Sequence, residues 1–190
     1  MAAETAAPTL VNGVNVDQLV GTVNAIKENP GLARFTFRAS NEWAGGGHSR
    51  TTVQSFYGAG AEDTSRAAPF VIEGDEPPVL LGQNAGANAV EAVLHALASC
   101  LAVGFAYNAA AQGITLEALS FELEGDLDLR AFLGLSDTVR AGYNRLRVTY
   151  RVKADAPREK LEALCDYVQK TSPVLDIIRN PVPVTISLAQ

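Results

Sequence analysis

Two cysteines carry the most reactive side chains in this 190-residue sequence, Cys100 and Cys165. An ionised thiol is a nucleophile toward peroxides and disulfides, and it also binds metals. A buried thiol that stays protonated packs instead as a small apolar group. The residue type alone leaves both roles open for each cysteine.

The neighbours of the two cysteines differ. Cys100 lies in the middle of an alanine-rich helical segment, and the small residues Ala96 and Gly104 are one turn away on either side. That spacing leaves room for a substrate or a partner element to reach the sulfur. Cys165 falls on an apolar helical stripe that favours core packing, formed with Leu161, Leu164 and Val168.

Four charged or titratable residues are candidates to assist a thiol. His48 and Arg50 follow a glycine-rich turn, where functional residues concentrate, although a solvated turn has the same composition. Glu91 precedes Cys100 by nine residues, which places it on the opposite side of the same helix. His95 lies about 140° from Cys100 around that helix, and we interpret it as structural.

Composition excludes several classes of function. The chain has 15 Lys and Arg against 21 Asp and Glu, a net charge of −6 that disfavours nucleic-acid binding. Two cysteines and two histidines, without a CxxC pair or a cluster at ligand spacing, predict neither a metal site nor a disulfide framework. The glycines at 45–47 lack a nucleotide-binding pattern. The first residues lack a signal-peptide pattern, so we expect a reduced, cytoplasmic protein without a membrane partner.

The element that carries Cys100 is predicted to be one long helix over residues 88–112. Asn88 followed by Glu91 has the spacing of an N-terminal capping box. The segment is apolar nearly all round, which indicates burial in protein or in a membrane. Its alanine content and internal polar residues favour a protein core. A single domain of this size rarely encloses such a helix, so we expect a second subunit against it.

Periodicity predicts the remaining elements, in an N-terminal extension with a helix (1–32) and a single domain (33–190). Residues 125–142 form a long connector, an excursion or a surface flap, and 58–67 form a loop. The predicted helices are 16–27 and 157–170, and the predicted strands are 33–39, 50–57, 70–72, 119–124, 146–152 and 182–188. The first two strands form a hairpin around the glycine turn.

Three segments resemble the OsmC/Ohr family, the osmotically inducible and organic hydroperoxide resistance proteins. They are the Trp-Ala-Gly-Gly turn at 43–46, the Leu-Leu-Gly segment at 80–82, and the helix from Asn88 to Cys100. The resemblance covers about residues 33–188 and is nearest to the broader OsmC-like branch.

The resemblance implies an α+β fold in which mainly antiparallel sheets wrap two long central helices of an intertwined homodimer. It implies thiol-dependent reduction of organic hydroperoxides in stress defence, without a metal or other cofactor, and with an external thiol as reductant. Cys100 matches the peroxidatic cysteine. His48 or Arg50 takes the place of an assisting arginine near the first hairpin, and Glu91 that of a glutamate at the start of the cysteine helix.

The sequence departs from the family pattern where a second, resolving cysteine precedes a proline. Ser172 stands before Pro173 here, and Cys165 is seven residues earlier, about 10.5 Å along a helix. A disulfide needs Cα atoms within about 6.8 Å, so we expect no Cys100–Cys165 bond. The glutamate also comes one residue later than in the characterised reductases. Two alternatives stay open: a non-enzymatic stress-associated or ligand-binding dimer in which Cys100 is packing, and, more remotely, a thiol acyltransferase or hydrolase.

Overall fold

The computed structural model describes residues 9–189, which form antiparallel sheets and four helices. This confirms the predicted α+β class. Short 3-10 turns occur at Pro30–Ala33 and Pro78–Leu80. The elements in chain order are β1 (Leu10–Val11), β2 (Val14–Asn15), α1 (Val16–Glu28), β3 (Ser40–Gly45), β4 (His48–Val53), β5 (Phe56–Gly58), β6 (Ala61–Asp63), β7 (Phe70–Gly74), α2 (Ala89–Ala111), β8 (Leu116–Asp126), β9 (Arg145–Ala154), α3 (Arg158–Thr171) and α4 (Pro173–Arg179).

The chain divides into two compact units. The first, the thiol unit, joins residues 9–16 to residues 94–189. The second, the hairpin unit, spans Asp17–Val93. Helix α2 begins in the hairpin unit and continues into the thiol unit, whereas the predicted boundary between residues 32 and 33 stays a prediction.

The core of the thiol unit lies between the β8–β9 hairpin and the helices. Alternate residues of each strand are apolar and pack against the core, as the period of a strand requires. The opposite side of the hairpin carries cross-strand ion pairs such as Glu122–Arg151 and Glu124–Arg147. The buried core residues are Leu97, Leu101, Phe105, Ala109, Ile114, Leu164, Val168 and Leu175.

Helix α3 fills the space beside Gly104. A Cβ atom added to Gly104 would lie 3.2 Å from Cγ1 of Val168, so the missing side chain allows α2 and α3 to approach closely. The room that we expected for a substrate on this side of Cys100 is therefore occupied by the chain's own helix.

The hairpin unit contains a three-stranded antiparallel sheet in the order β3–β4–β7. Gly45 and Gly46 make the β3–β4 turn with φ of 115° and 57°, a region that favours glycine. A hairpin around the glycine turn is present as predicted, although its strands are Ser40–Gly45 and His48–Val53 rather than 33–39 and 50–57. The predicted third strand is confirmed and extends from Phe70 to Gly74.

The first predicted strand is misplaced. Between residues 33 and 39 only Thr36 forms a bridge, to Tyr57, and the first hairpin strand is instead Ser40–Gly45. The alternation at 33–39 places Phe35 and Phe37 on one side, where their rings stack at 5.8 Å. The apolar residues thus serve an aromatic cluster rather than a sheet.

Two further assignments in the hairpin unit need correction. The predicted strand 50–57 is two strands, β4 and β5, interrupted at residues 54–55. The predicted loop 58–67 contains β6, which pairs with β5 around a tight turn at Ala59 and Gly60.

The predicted C-terminal strand is also wrong for this chain. Residues 182–188 have no regular secondary structure, and Ile186 and Leu188 are 91% and 97% exposed. Pro181 and Pro183 lack the amide hydrogens that a central strand donates, which restricts the segment to an edge. Helix α4, which precedes this segment, was not predicted.

The long helix is confirmed and has two kinds of surface. By length and composition alone it is apolar enough to cross a membrane. Its side chains at Leu97, Leu101 and Phe105 are buried in the thiol unit, whereas Val103 and Tyr107 are exposed. The predicted connector 125–142 begins later than expected, because residues 125–126 belong to β8. Residues 127–142 have no helix or strand, and they leave Phe132, Leu133 and Leu135 exposed.

Candidate functional site

Cys100 lies against a serine hydroxyl. Its Sγ is 3.1 Å from Oγ of Ser172, which is 5% exposed. The same Oγ accepts a hydrogen bond from the backbone N–H of Leu175 at 3.2 Å and so caps helix α4. A hydroxyl that accepts from Leu175 still has its own hydrogen, which it can donate to an ionised sulfur at Cys100.

Cys165 has a different environment. It is a half-buried free thiol on α3, and burial raises its pKa, with Asp166 and Glu162 adding to the effect. A raised pKa keeps the thiol protonated at neutral pH, and a protonated thiol is a poor nucleophile. Of the two cysteines, Cys100 therefore has the surroundings suited to reaction.

Sequence analysis did not single out Tyr150, a half-buried tyrosine on β9. Its pKa is raised to about 12, mainly by burial; negative charge at Cys165 and, to a smaller extent, at Cys100 contributes to the rise, and Arg179 opposes it. Within the described residues, its hydroxyl oxygen is buried and has no hydrogen-bond partner. Tyr150 lies on β9 and Arg179 on α4, and no sequence spacing relates these two residues.

The two predicted cations share one carboxylate in the hairpin unit. His48 Nε2 lies 2.7 Å from Glu73 Oε2, and Arg50 Nε donates to Glu73 Oε1 at 2.8 Å. Arg50 faces Glu73 directly across β4 and β7. Arg50, and then His48, lowers the pKa of Glu73 and keeps it ionised. Glu73 comes directly after the predicted third strand, 70–72, and a strand longer by one residue includes the carboxylate that binds Arg50.

The predicted role of Glu91 as a helix cap is confirmed. Its carboxylate accepts from the Asn88 N–H at 2.9 Å, and Asn88 Oδ1 accepts from the Glu91 N–H at 2.9 Å. This reciprocal pair satisfies two free amides at the start of α2. The assisting role of Glu91 toward a thiol stays a prediction.

A buried aspartate organises the segment after β7. Asp75 is 3% exposed and accepts hydrogen bonds from the backbone N–H groups of Glu76, Gln83 and Ala85 at 2.8, 2.9 and 3.1 Å. The amides of Ala85 and Gln83 contribute most to lowering its pKa. Its side chain also lines a cavity of about 260 Å³ beside the glycine turn.

Protonation of the Asp75 carboxylate at low pH is expected to lower the free energy of unfolding. The pKa of Asp75 is lower in the folded chain than its usual value of about 3.9, so the folded form binds fewer protons. The stabilisation is complete above that usual value and is lost as the pH falls through the lowered folded pKa. Urea unfolding of the wild type and of Asp75→Asn between pH 7 and pH 2.5 checks this.

The Asp75→Asn variant should be less stable at pH 7, because an amide nitrogen cannot accept from the facing N–H groups. Its stability should also decline less as the pH falls. Asp137→Asn, at an exposed position of the connector, is the matched control and should follow the wild type. Parallel declines in all three proteins would show that Asp75 contributes nothing to the acid sensitivity.

The comparisons with known proteins agree with this architecture. The family model described as OsmC-like protein matches residues 82–187, more than half of the chain. An OsmC-like protein of Mycoplasma pneumoniae is 16% identical and covers 77% of this chain and 89% of its own, with a TM-score of 0.57. A Psychrobacter arcticus protein named for osmotic stress induction and detoxification response is 14% identical, with coverages of 75% and 88% and a TM-score of 0.56.

A further solved structure, an OsmC-like protein of unknown function from Vibrio cholerae, is 14% identical. It covers 74% of this chain and 92% of its own, with a TM-score of 0.50. No curated protein matches the chain. At these identities the solved structures show the fold, and the family model independently matches the segment that contains both cysteines. The chain belongs to the OsmC-like family.

Proposed function

We propose that this chain reduces organic hydroperoxides in stress defence, with the Cys100 thiolate as the attacking group. The observation that carries the proposal is the 3.1 Å contact between Cys100 Sγ and the buried Ser172 hydroxyl. The Ser172 hydroxyl is held in place by the cap of α4 and can donate to an ionised sulfur, and Cys100 has no carboxylate hydrogen-bond partner among residues 9–189. Family membership supports the same function.

The first step transfers one oxygen atom. The Cys100 thiolate attacks the terminal oxygen of the hydroperoxide, an S–O bond forms, and the O–O bond breaks. Cysteine loses two electrons and becomes a sulfenic acid, and the peroxide gains two and leaves as an alkoxide. The alkoxide takes a proton from water to give the alcohol. The Ser172 hydroxyl favours the thiolate by donating to the sulfur.

The second step restores the thiol without an internal disulfide. Because Ser172 stands where the family pattern has a second cysteine, an external thiol attacks the sulfenic acid and water leaves. A second external thiol then releases Cys100 and departs as the oxidised disulfide. We propose that His48 or Arg50 supplies a positive charge that stabilises the Cys100 thiolate, and that Glu91 orients this cationic side chain.

We also propose that the protein is a cytoplasmic homodimer. Val103 and Tyr107 on α2 and the C-terminal apolar residues at Ile186 and Leu188 are exposed in the single chain. A second copy that covers these surfaces would remove them from water, which is the dominant favourable contribution to association.

The function is tested by titrating the fully reduced protein with cumene hydroperoxide up to one equivalent per chain. We expect each equivalent added to be consumed, up to one peroxide per chain, and Cys100 to be oxidised to the sulfenic acid, located by dimedone trapping and peptide mass spectrometry. Catalytic consumption should require added dithiothreitol. No consumption, together with a Cys100 that is inert to iodoacetamide, would overturn the proposal.

A protein that consumes no peroxide and whose Cys100 is inert to iodoacetamide would favour the non-enzymatic dimer. The engagement of His48 and Arg50 with Glu73, and of Glu91 with Asn88, supports this alternative, because each predicted helper already has a structural partner.

A further inference from the structure

Two contacts join helix α2 to the C-terminal end of helix α3. Cys100 Sγ lies 3.1 Å from Oγ of Ser172, the residue that directly follows α3. One turn further along α2, Gly104 lies against Val168, which is one turn before Ser172. Because the two contacts are one turn apart on both segments, a displacement of α3 at Val168 also moves Ser172 relative to Cys100.

Gly104 determines how closely α3 approaches α2. A Cβ atom at this position would lie 3.2 Å from Cγ1 of Val168, which is shorter than the optimal separation of two carbon atoms. Val168 is 1% exposed, and a valine in a helix has one strongly preferred rotamer. Rotation of this side chain is therefore disfavoured, and α3 itself has to yield to a larger residue at position 104.

The Ser172 hydroxyl has little freedom to follow Cys100 if α3 moves. Ser172 joins α3 directly to α4, and its Oγ accepts a hydrogen bond from the Leu175 N–H at 3.2 Å. Turning the side chain away from Leu175 would break this cap. The distance from Oγ to the sulfur of Cys100 is thus set by the position of the helices.

We infer that Gly104 is a positioning residue that holds the Ser172 hydroxyl within hydrogen-bond distance of Cys100. This role rests on the proposed function, because it concerns the donor that favours the Cys100 thiolate. Gly104 acts through α3, since it has no side chain that could reach the sulfur. Glycine in the middle of a helix is less favourable than alanine, and the close approach of α3 explains why a glycine is used here.

The test is the rate of Cys100 alkylation by iodoacetamide at pH 7 in chains that carry Cys165→Ser, so that Cys100 is the only thiol. Ser172→Ala lowers the thiolate fraction, and because the remaining thiolate is more nucleophilic we expect alkylation about threefold to tenfold slower. Gly104→Ala lengthens the same contact and should slow alkylation about twofold to fivefold. Added to Ser172→Ala, the Gly104→Ala change should slow it no further.

Two further variants control for the change of glycine to alanine. A Cβ at Gly21 of α1 meets open space, so Gly21→Ala should leave the alkylation rate of Cys100 unchanged. Val168→Ala combined with Gly104→Ala removes the methyl groups that the new Cβ would meet, and it should restore the rate. Urea unfolding establishes that each variant is folded before rates are compared.

The outcomes separate the role of Gly104 from the proposed function. If Ser172→Ala slows alkylation and Gly104→Ala does not, the positioning role is overturned. The same slowing by Gly104→Ala with and without the Ser172 hydroxyl would also overturn it, because the glycine would then act independently of that contact. An alkylation rate that Ser172→Ala leaves unchanged would overturn it as well. A protein that consumes no peroxide but shows the expected alkylation rates would overturn the proposed function alone.

Discussion

Replacing Cys100 with serine is expected to reduce peroxide consumption to the rate measured without protein, whereas replacing Cys165 with serine leaves consumption intact. A serine hydroxyl is not ionised at neutral pH, so the variant loses the nucleophile itself. Cys165 is disfavoured as a nucleophile because burial and the neighbouring Asp166 raise its pKa. The measurement is the loss of cumene hydroperoxide under single-turnover conditions.

The two variants are matched controls for each other. Both positions are half-buried, and both changes replace sulfur with oxygen, so any general loss of packing should be similar. Their free energies of unfolding in urea establish that each is folded before activity is compared. Equal activity in Cys100→Ser and Cys165→Ser would refute the assignment of Cys100 as the attacking thiol.

Elements specified by local pattern were predictable from the sequence. The α2 helix follows from an uninterrupted apolar segment with a capping box, and its observed bounds differ from the prediction by one residue at each end. The β8–β9 hairpin follows from period-two alternation on both strands. In each case the signal lies within a few residues of the structure that it predicts.

Elements that depend on a partner were less predictable. Residues 33–39 and 182–188 have the alternation of strands, but a strand forms only where another segment pairs with it. In the first case Phe35 joins an aromatic cluster with Phe56, at 6.2 Å between ring centroids. Helix α4 does have a local signal in the sequence, a serine cap followed by proline at the first helical position.

The candidate site was predicted only in part. Cys100 was found because its residue type and helix are distinctive, but its nearest polar partner is 72 residues away. Tyr150 is brought against Phe105 of α2 by tertiary packing, which periodicity does not encode. For Arg50, the cross-strand register determines that the partner is Glu73, and sequence spacing alone did not identify that register.

Replacing Ser172 with cysteine is expected to give the protein an internal disulfide that the wild type lacks. The Oγ of Ser172 is already 3.1 Å from Cys100 Sγ, and a disulfide requires two sulfurs about 2.05 Å apart, so a small rotation or shift suffices. After one equivalent of peroxide, the new thiol should attack the Cys100 sulfenic acid and release water. Intact mass should fall by two hydrogen atoms relative to the reduced variant, and over-oxidation by excess peroxide should be suppressed.

Ser172→Ala is the matched control for this change. Both substitutions remove the hydroxyl that caps α4 at Leu175, at a cost of about 1 kcal/mol, but only cysteine supplies a second sulfur. The alanine variant should therefore accumulate over-oxidised Cys100 under the same peroxide excess. A Ser172→Cys protein that is oxidised at Cys100 and still contains two free thiols at 165 and 172 would contradict the geometry. Formation of the disulfide would show that the serine at position 172, rather than the placement of Cys100, makes the wild type depend on an external thiol.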